Sequence, residues 1–305
     1  MSFSHYLADD QLDQQQLLDL IELAKSIKQS PQDYQHALAG KSVVMLFEKP
    51  SLRTHISFDI GIQKLGGHSV YIGQQNGKLG ERERVVDVAK NLACWSDAIV
   101  ARVFSHQSLV ELSEYAGIPV INALSDLYHP CQALADMMAL SEKVEDLSQA
   151  KLAYVGDANN VSNSLMLMAL TLGIDFTLIS PKGFEASKEM QDKAHTIEAI
   201  TGAKLTLSND INDIGSQTAI YTDTWISMGE EKDPQQVLKI FKPYQVNSAL
   251  MTKADANYFM HCQPAHLEQE VTTEVFDGEQ SLADLQAENR MWAQCAILLT
   301  LFNQA

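Results

Sequence analysis

Paired cysteines are missing from this sequence. Cys94, Cys131, Cys262 and Cys295 are the only four in 305 residues, and no CxxC pair or His/Cys grouping at zinc-ligand spacing occurs. A disulfide framework and a structural zinc site are excluded, and a reducing compartment is expected. Positive charge is also scarce. Lys+Arg number 22 against 39 Asp+Glu, for a net charge of -17, and such a field repels DNA, RNA and anionic lipid. No nucleic-acid partner and no membrane are expected. No predominantly apolar run reaches the ~20 residues needed to cross a bilayer, since residues 161–172 are too few and include Ser and Asn. The opening MSFSHYLADDQLDQQQ has neither the basic nor the apolar part of a secretory signal, so a cytoplasmic protein is expected. Internal repeats and low-complexity stretches are absent as well.

What remains is ordinary globular material, with 46% hydrophobic and 20% charged residues, enough for a real core. The length suggests roughly two domains. Residues 12–27 carry Leu17, Leu20, Ile21, Leu23, Ala24 and Ile27 at helical spacing, and 28–35 read as a turn and a new start. Short apolar runs of the kind buried on both faces of a parallel sheet follow at 43–47, 98–101, 119–123, 152–155, 176–179, 218–221 and 258–261. Helical patterns alternate with them at 54–65, 85–95, 109–116, 132–143, 162–172 and 188–201, and a long amphipathic segment closes the series at 281–302. Alternation of this kind predicts an α/β protein with parallel sheets and right-handed crossovers. The polar stretch EKVEDLSQ, 142–149, divides the series. The expected domains are 1–145, rejoined by a C-terminal helix within 281–305, and 146–280.

Chemistry-bearing residues gather at the predicted carboxyl ends of strands, where open α/β sheets bind ligands. The run 43–47 leads into EKPSLRT and a helix. Ser51 is a fitting N-cap, and the helix start offers backbone N–H groups, a positive dipole end, hydroxyls and Arg53, a combination suited to phosphate. A capped surface helix with a solvated Arg is the plain alternative. Arg102 follows the run 98–101, and His129-Pro130-Cys131-Gln132 follows 119–123; taken singly, these residue types are commoner as surface and turn residues. After 152–155 stands GDANN in place of the GxGxxG of dinucleotide folds, which argues against NAD. Asn159 and Asn160 can cap a helix or hold a carboxylate or ammonium group. Asp223, after 218–221, suits a cationic amine better than a second carboxylate, although a solvated loop Asp is the commoner case.

Together these motifs resemble the aspartate/ornithine carbamoyltransferase family, and its ornithine-specific branch most. The pieces, in the family's order and spacing, are FEKPSLRT (47–54), ARVF (101–104), HPCQALAD (129–136), GDANN (156–160), DTWISMGEE (223–231), HCQPAH (261–266) and ENRMW (288–292). The resemblance spans nearly the whole chain. It implies a carbamoyl-phosphate domain and an ornithine domain, each with a central parallel sheet flanked by helices, a ligand cleft between them, and a homotrimer with active sites at subunit interfaces. It implies transfer of the carbamoyl group of carbamoyl phosphate to the δ-amine of L-ornithine, giving L-citrulline and phosphate, without metal or organic cofactor. Residue by residue, Ser51, Arg53 and Thr54, with the backbone around Leu52 and with Arg102, would hold the phosphate. His129 and Gln132 would hold the carbamoyl end, with Arg290 reaching toward the same ligand. Asn159, Asn160, Asp223, Ser227 and Met228 would orient the α-amino and α-carboxylate groups, and Cys262 and the Gln263 carbonyl would lie beside the reacting amine. Arg53, Arg102, His129, Asp223 and Cys262 would be the catalytic set.

Three departures accompany the resemblance. The family's S-T-R-T-R reads here Ser51-Leu52-Arg53-Thr54-His55, which keeps the Leu52 amide and removes a permanent charge at His55. The family's QLG reads Lys78-Leu79-Gly80, which adds a cation for phosphate in a loop that a trimer would lend to its neighbour. HCLP reads His261-Cys262-Gln263-Pro264, with the backbone carbonyl intact. Other acceptors, namely putrescine, N-acetylornithine or aspartate, define the nearest alternatives, and Asp223 weighs against aspartate. A catalytically silent binding subunit is opposed by Arg53, Arg102 and His129, and a nucleotide-binding oxidoreductase by the missing glycines.

Overall fold

A computed structural model of the chain describes residues 3–73, 78–226 and 233–303. Two compact units emerge, residues 1–138 with 288–305, and residues 139–287.

In the first unit, α1 (Gln14–Gln29) starts at Asp13, whose carboxylate accepts the Gln16 N–H while the Gln16 side chain accepts the Asp13 N–H, a reciprocal cap that satisfies two orphan donors. Its buried face is Leu17, Leu20, Ile21, Ala24 and Ile27. There follow β1 (Ser42–Phe47), α2 (Leu52–Lys64), β2 (His68–Ile72), α3 (Val85–Ala93), β3 (Ala98–Arg102), α4 (His106–Ala116), β4 (Val120–Leu124) and α5 (Pro130–Ser141). The four strands are parallel in the order β2-β1-β3-β4. Val44, Leu46, Ile99 and Ala101 of the central strands pack against Val85, Ala89 and Leu92 of α3 and Leu109 and Leu112 of α4.

The second unit continues with β5 (Lys151–Val155), α6 (Asn160–Thr171), β6 (Asp175–Ile179), α7 (Lys188–Thr201), β7 (Leu205–Ser208), β8 (Ala219–Tyr221), α8 (Pro234–Phe241), α9 (Ser248–Lys253), β9 (Tyr258–Met260) and α10 (Thr273–Phe276). Its parallel sheet runs β7-β6-β5-β8-β9. Ala153, Val155, Ile179, Ile220 and Phe259 of the sheet share a core with Leu250 and Met251 of α9 and Val275 of α10. The chain ends in α11 (Ala283–Phe302). Both α5 and α11 cross the division between the units, and the polar stretch 142–149 lies inside the second.

Two strands go beyond the expected runs. β2 carries the mixed HSVYI at the sheet edge, with most of its residues partly or fully exposed, so no continuous apolar signal marks it. β7 is a four-residue edge strand. The run expected at 258–261 stops at Met260, because the His261 N–H bonds to the Gln286 side chain (2.9 Å) in place of a ladder partner. α8, α9 and α10 are short helices with no long periodic pattern. Among the described residues no helix is long and apolar enough to cross a membrane.

The strand orders matter for function. In the first sheet the connections move outward on either side of β1 and β3, and in the second on either side of β5 and β8. Ligand crevices of open α/β sheets lie at the carboxyl ends of such reversal points. Residues 48–54 and 102–104 occupy that position in the first unit, and residues 156–160 and 222–225 in the second.

Candidate functional site

In the first unit the cluster is built on the start of α2. Ser51, with extended backbone, caps the helix by accepting the Thr54 N–H (3.3 Å), and its hydroxyl donates to Thr54 Oγ1 (2.9 Å). Arg290, from α11, donates Nη2 to the same oxygen at 2.6 Å. With two donors already on Thr54 Oγ1, its own O–H remains to donate elsewhere. The Leu52 side chain is 76% exposed, so only its backbone at the helix start can serve a ligand. Arg53 is half-buried in the first turn, and its guanidinium makes no hydrogen bond or ion pair among the described residues.

Two further strand ends complete the group. Arg102 is the last residue of β3 and is buried; the β3–β4 register shifts between Ala101 and Arg102, a bulge that re-aims a side chain at a strand end. His129 precedes α5, which starts on Pro130, a residue that fits the first helical position because it has no N–H to leave unpaired. Arg290 Nη2 lies 3.3 Å from His129 Nε2. A guanidinium only donates, so Nε2 accepts and the ring proton resides on Nδ1. Burial, and then the charges of Arg290 and Arg102, hold His129 well below the ordinary imidazole value of 6.5. It is a neutral ring between buried cations. Gln132, within α5, donates to Asp136 Oδ1 at 2.7 Å, and its Oε1 is buried without a partner among the described residues.

Lys78 stands differently. Its ammonium lies 4.8 Å from the centroid of the Phe104 ring, with that of Lys49 at 4.7 Å from the same centroid. No contact joins Lys78 directly to Thr54, His129 or Arg290 among the described residues. His55 stacks on Tyr71, with ring centroids 4.0 Å apart and an angle of 13°, so its ring is taken up by β2.

The second unit brings together Asn159, Asp223 and Cys262. Asn159 caps α6 through Oδ1, which accepts the Val161 and Ser162 N–H groups, and its Nδ2 donates to Asp223 Oδ2 at 3.0 Å. The Cys262 thiol donates to Asp223 Oδ1 at 3.1 Å. Asn160 opens α6. The Gln263 N–H donates to His261 Nδ1 (2.8 Å) and its side-chain amide to the Ala283 carbonyl (3.5 Å). Ser227 and Met228 lie outside the described residues. Sequence reasoning missed Tyr154, whose hydroxyl reaches Asn159 Oδ1 at 3.5 Å and whose ionisation is pushed well above 10 by burial, and then by Asp223, Asp157 and Cys262. It also missed the buried pair His261 and Glu270, 3.4 Å apart, and Glu48.

Asp223, His261 and Cys262 bring possible ligand atoms within 4.8 Å of one another. His261 Nδ1 already accepts the Gln263 N–H, Nε2 faces Glu270, and the Cys262 thiol donates to Asp223. The set reads as a hydrogen-bonded network.

His129 yields a pH prediction. A ring kept neutral in the fold protonates first in the unfolded chain, so its contribution to stability is complete above 6.5 and is lost as pH falls below it. Thermal melts from pH 7.5 down to 5 are expected to fall less steeply in His129→Gln than in the native chain. Parallel curves would contradict the assignment.

Comparison with known proteins adds an independent line. Residues 4–142 match the family described as aspartate/ornithine carbamoyltransferase, carbamoyl-P binding domain, and residues 148–301 match aspartate/ornithine carbamoyltransferase, Asp/Orn binding domain. The chain is 58% identical over 299 residues to the ornithine carbamoyltransferase of Shewanella oneidensis, covering 98% of this chain and 99% of that one. It is 52% identical to the ornithine carbamoyltransferase of Moritella abyssi, covering 95% and 96%. The solved ornithine carbamoyltransferase of Pyrococcus furiosus superposes with a TM-score of 0.94 at 38% identity, covering 99% of this chain and 97% of that one.

Proposed function

The chain belongs to the aspartate/ornithine carbamoyltransferase family, and from that premise we propose how it carries the carbamoyl group of carbamoyl phosphate to the δ-amine of L-ornithine. The observation that carries the reading is the meeting of Thr54, His129 and Arg290 at the start of α2, with Arg102 acting on the same imidazole. Buried cations with a neutral donor ring suit a small dianion.

Carbamoyl phosphate is held with its phosphate at the α2 N-terminus, on Ser51, Thr54, the Leu52 amide, Arg53 and Arg102. The carbamoyl oxygen faces the neutral His129, Gln132 and Arg290. Ornithine is held by the second unit, its α-amino and α-carboxylate groups oriented by Asn159, Asn160, Asp223, Ser227 and Met228, with Cys262 and the Gln263 carbonyl beside the δ-amine. The uncharged amine attacks the carbamoyl carbon and the C=O pair moves onto oxygen. The tetrahedral intermediate then collapses, breaking the bond to the phosphate oxygen. The proton lost from nitrogen goes to the departing phosphate. Donors fixed before reaction around the growing oxyanion and the leaving group lower the barrier by preorganised electrostatics. The work is done in a homotrimer in the cytoplasm, where Lys78 serves the site of a neighbouring subunit.

The reactive amine must shed a proton whose ordinary value is about 10.4. With ornithine limiting, kcat/KM is therefore expected to rise close to tenfold per pH unit from about pH 6.5 to 8.5. A flat profile would contradict attack by the free amine. The direct test is citrulline formation from carbamoyl phosphate with ornithine, set against putrescine, N-acetylornithine and aspartate. Turnover with ornithine alone is expected, and a faster rate with any other acceptor would reassign the second unit.

A further inference from the structure

Glu48 is the first residue after β1 and is only 6% exposed. One of its carboxylate oxygens accepts the Leu79 N–H at 2.5 Å and the other accepts the Phe104 N–H at 2.6 Å. Its own N–H donates to the Arg102 carbonyl at 2.8 Å. A single residue thereby fastens three segments that are distant in sequence: the turn that leads into the α2 N-terminus, the loop that carries Lys78, and the turn that follows Arg102. Hydrogen bonds from amides to a carboxylate are charge-assisted and stronger than neutral ones. The consequence is visible on Phe104, whose ring has the ammonium groups of both Lys49 and Lys78 within 5 Å of its centroid. Two like charges on one ring repel, and the quadrupole of the ring offsets part of that repulsion. Glu48, Lys78 and Leu79 also line one cavity of about 400 Å³ with Gly80 and Arg82, so Lys78 borders open space.

We propose that Glu48 is a positioning residue for carbamoyl phosphate, setting the Arg102 turn for its own subunit's site and the Lys78 loop for the neighbouring subunit's by holding the Leu79 and Phe104 amides on one carboxylate. The inference rests on the assignment of Lys78 and Arg102 to carbamoyl phosphate. Glutamine at this place has one acceptor oxygen and a donor amide, so it keeps one of the two amide bonds and turns an N–H toward the other. The loops then lose their fixed spacing while the side-chain volume is preserved.

Steady-state kinetics of Glu48→Gln, Lys78→Met and the double variant test this on the full-length enzyme. Glu48→Gln is expected to raise KM for carbamoyl phosphate about tenfold, with a change in KM for ornithine and in kcat several times smaller. The double variant is expected to raise KM for carbamoyl phosphate less than the product of the two single effects, because both changes act through one loop. Equal losses for both substrates, or fully multiplicative effects, would overturn the clamp and leave Glu48 a structural residue only. Phe104→Leu supplies a second arm should the glutamine variant not fold. It leaves the amide on Glu48 and removes the ring, and an increase of about threefold confined to KM for carbamoyl phosphate is expected. No increase would overturn the proposal. If Lys78→Met alone leaves that KM unchanged, the assignment of Lys78 to the anion fails, and the clamp is then judged on the Glu48→Gln split between the two substrates.

Discussion

Arg53→Ala is expected to lose about a thousandfold in kcat/KM for carbamoyl phosphate while keeping the melting temperature and circular dichroism of the native chain. Two physical facts set that combination. Arg53 is half-buried in the first turn of α2 and its guanidinium holds no intramolecular hydrogen bond or ion pair among the described residues, so removing it leaves no buried partner unsatisfied. The helix keeps its Ser51 cap and its buried Thr54, Phe58 and Ile62. Stability therefore stays within about 0.5 kcal/mol, because neither the cap nor the buried face is touched. On the proposed reading, catalysis loses a permanent cation beside a departing dianion, where charge accumulates. An unchanged rate would remove Arg53 from the site. Arg290→Ala behaves otherwise, because its guanidinium holds both Thr54 and His129, and loss of stability accompanies loss of rate.

That contrast also explains what could be read from the sequence. β1, β3, β5 and β6 were legible because strands buried on both faces carry apolar runs, broken only by Thr177 in β6. β2 and β7 sit at sheet edges, where one side faces water and the run is broken. Ser51 and Asn159 were legible as caps from position alone, whereas the strand-end position of Asp223 left a solvated loop residue as the commoner reading. Arg290 was not legible. Its partner Thr54 lies 236 residues away, and nothing local in ENRMW distinguishes a buried guanidinium from a solvated one; only resemblance brought it forward. Glu48 illustrates the limit more sharply, because a carboxylate between a strand and a lysine reads as surface. Its burial comes from amides 31 and 56 residues away, and such pairings follow from the sheet order.

In the second unit the largest expected effect belongs to Asp223→Asn. Asp223 accepts from Asn159 on one oxygen and from Cys262 on the other, and it is buried to 6% exposure. Asparagine preserves shape but cancels the charge, and its own NH2 meets either a donor amide or a thiol proton. A buried charge pair broken on one side costs about 3 kcal/mol, so kcat/KM for ornithine is expected to fall by roughly a hundredfold or more. KM for carbamoyl phosphate should change less than twofold, because the anion is held by the first unit. Cys262→Ser retains a donor toward Asp223 and should cost about tenfold. The acceptor 5-aminovalerate, which is ornithine without its α-amino group, separates the two roles of the carboxylate. If Asp223 binds the α-ammonium, the native enzyme and Asp223→Asn use 5-aminovalerate equally poorly. If the carboxylate acts on the reacting amine instead, the substitution slows 5-aminovalerate as much as ornithine, and the assignment of Asp223 to the α-amino group is overturned.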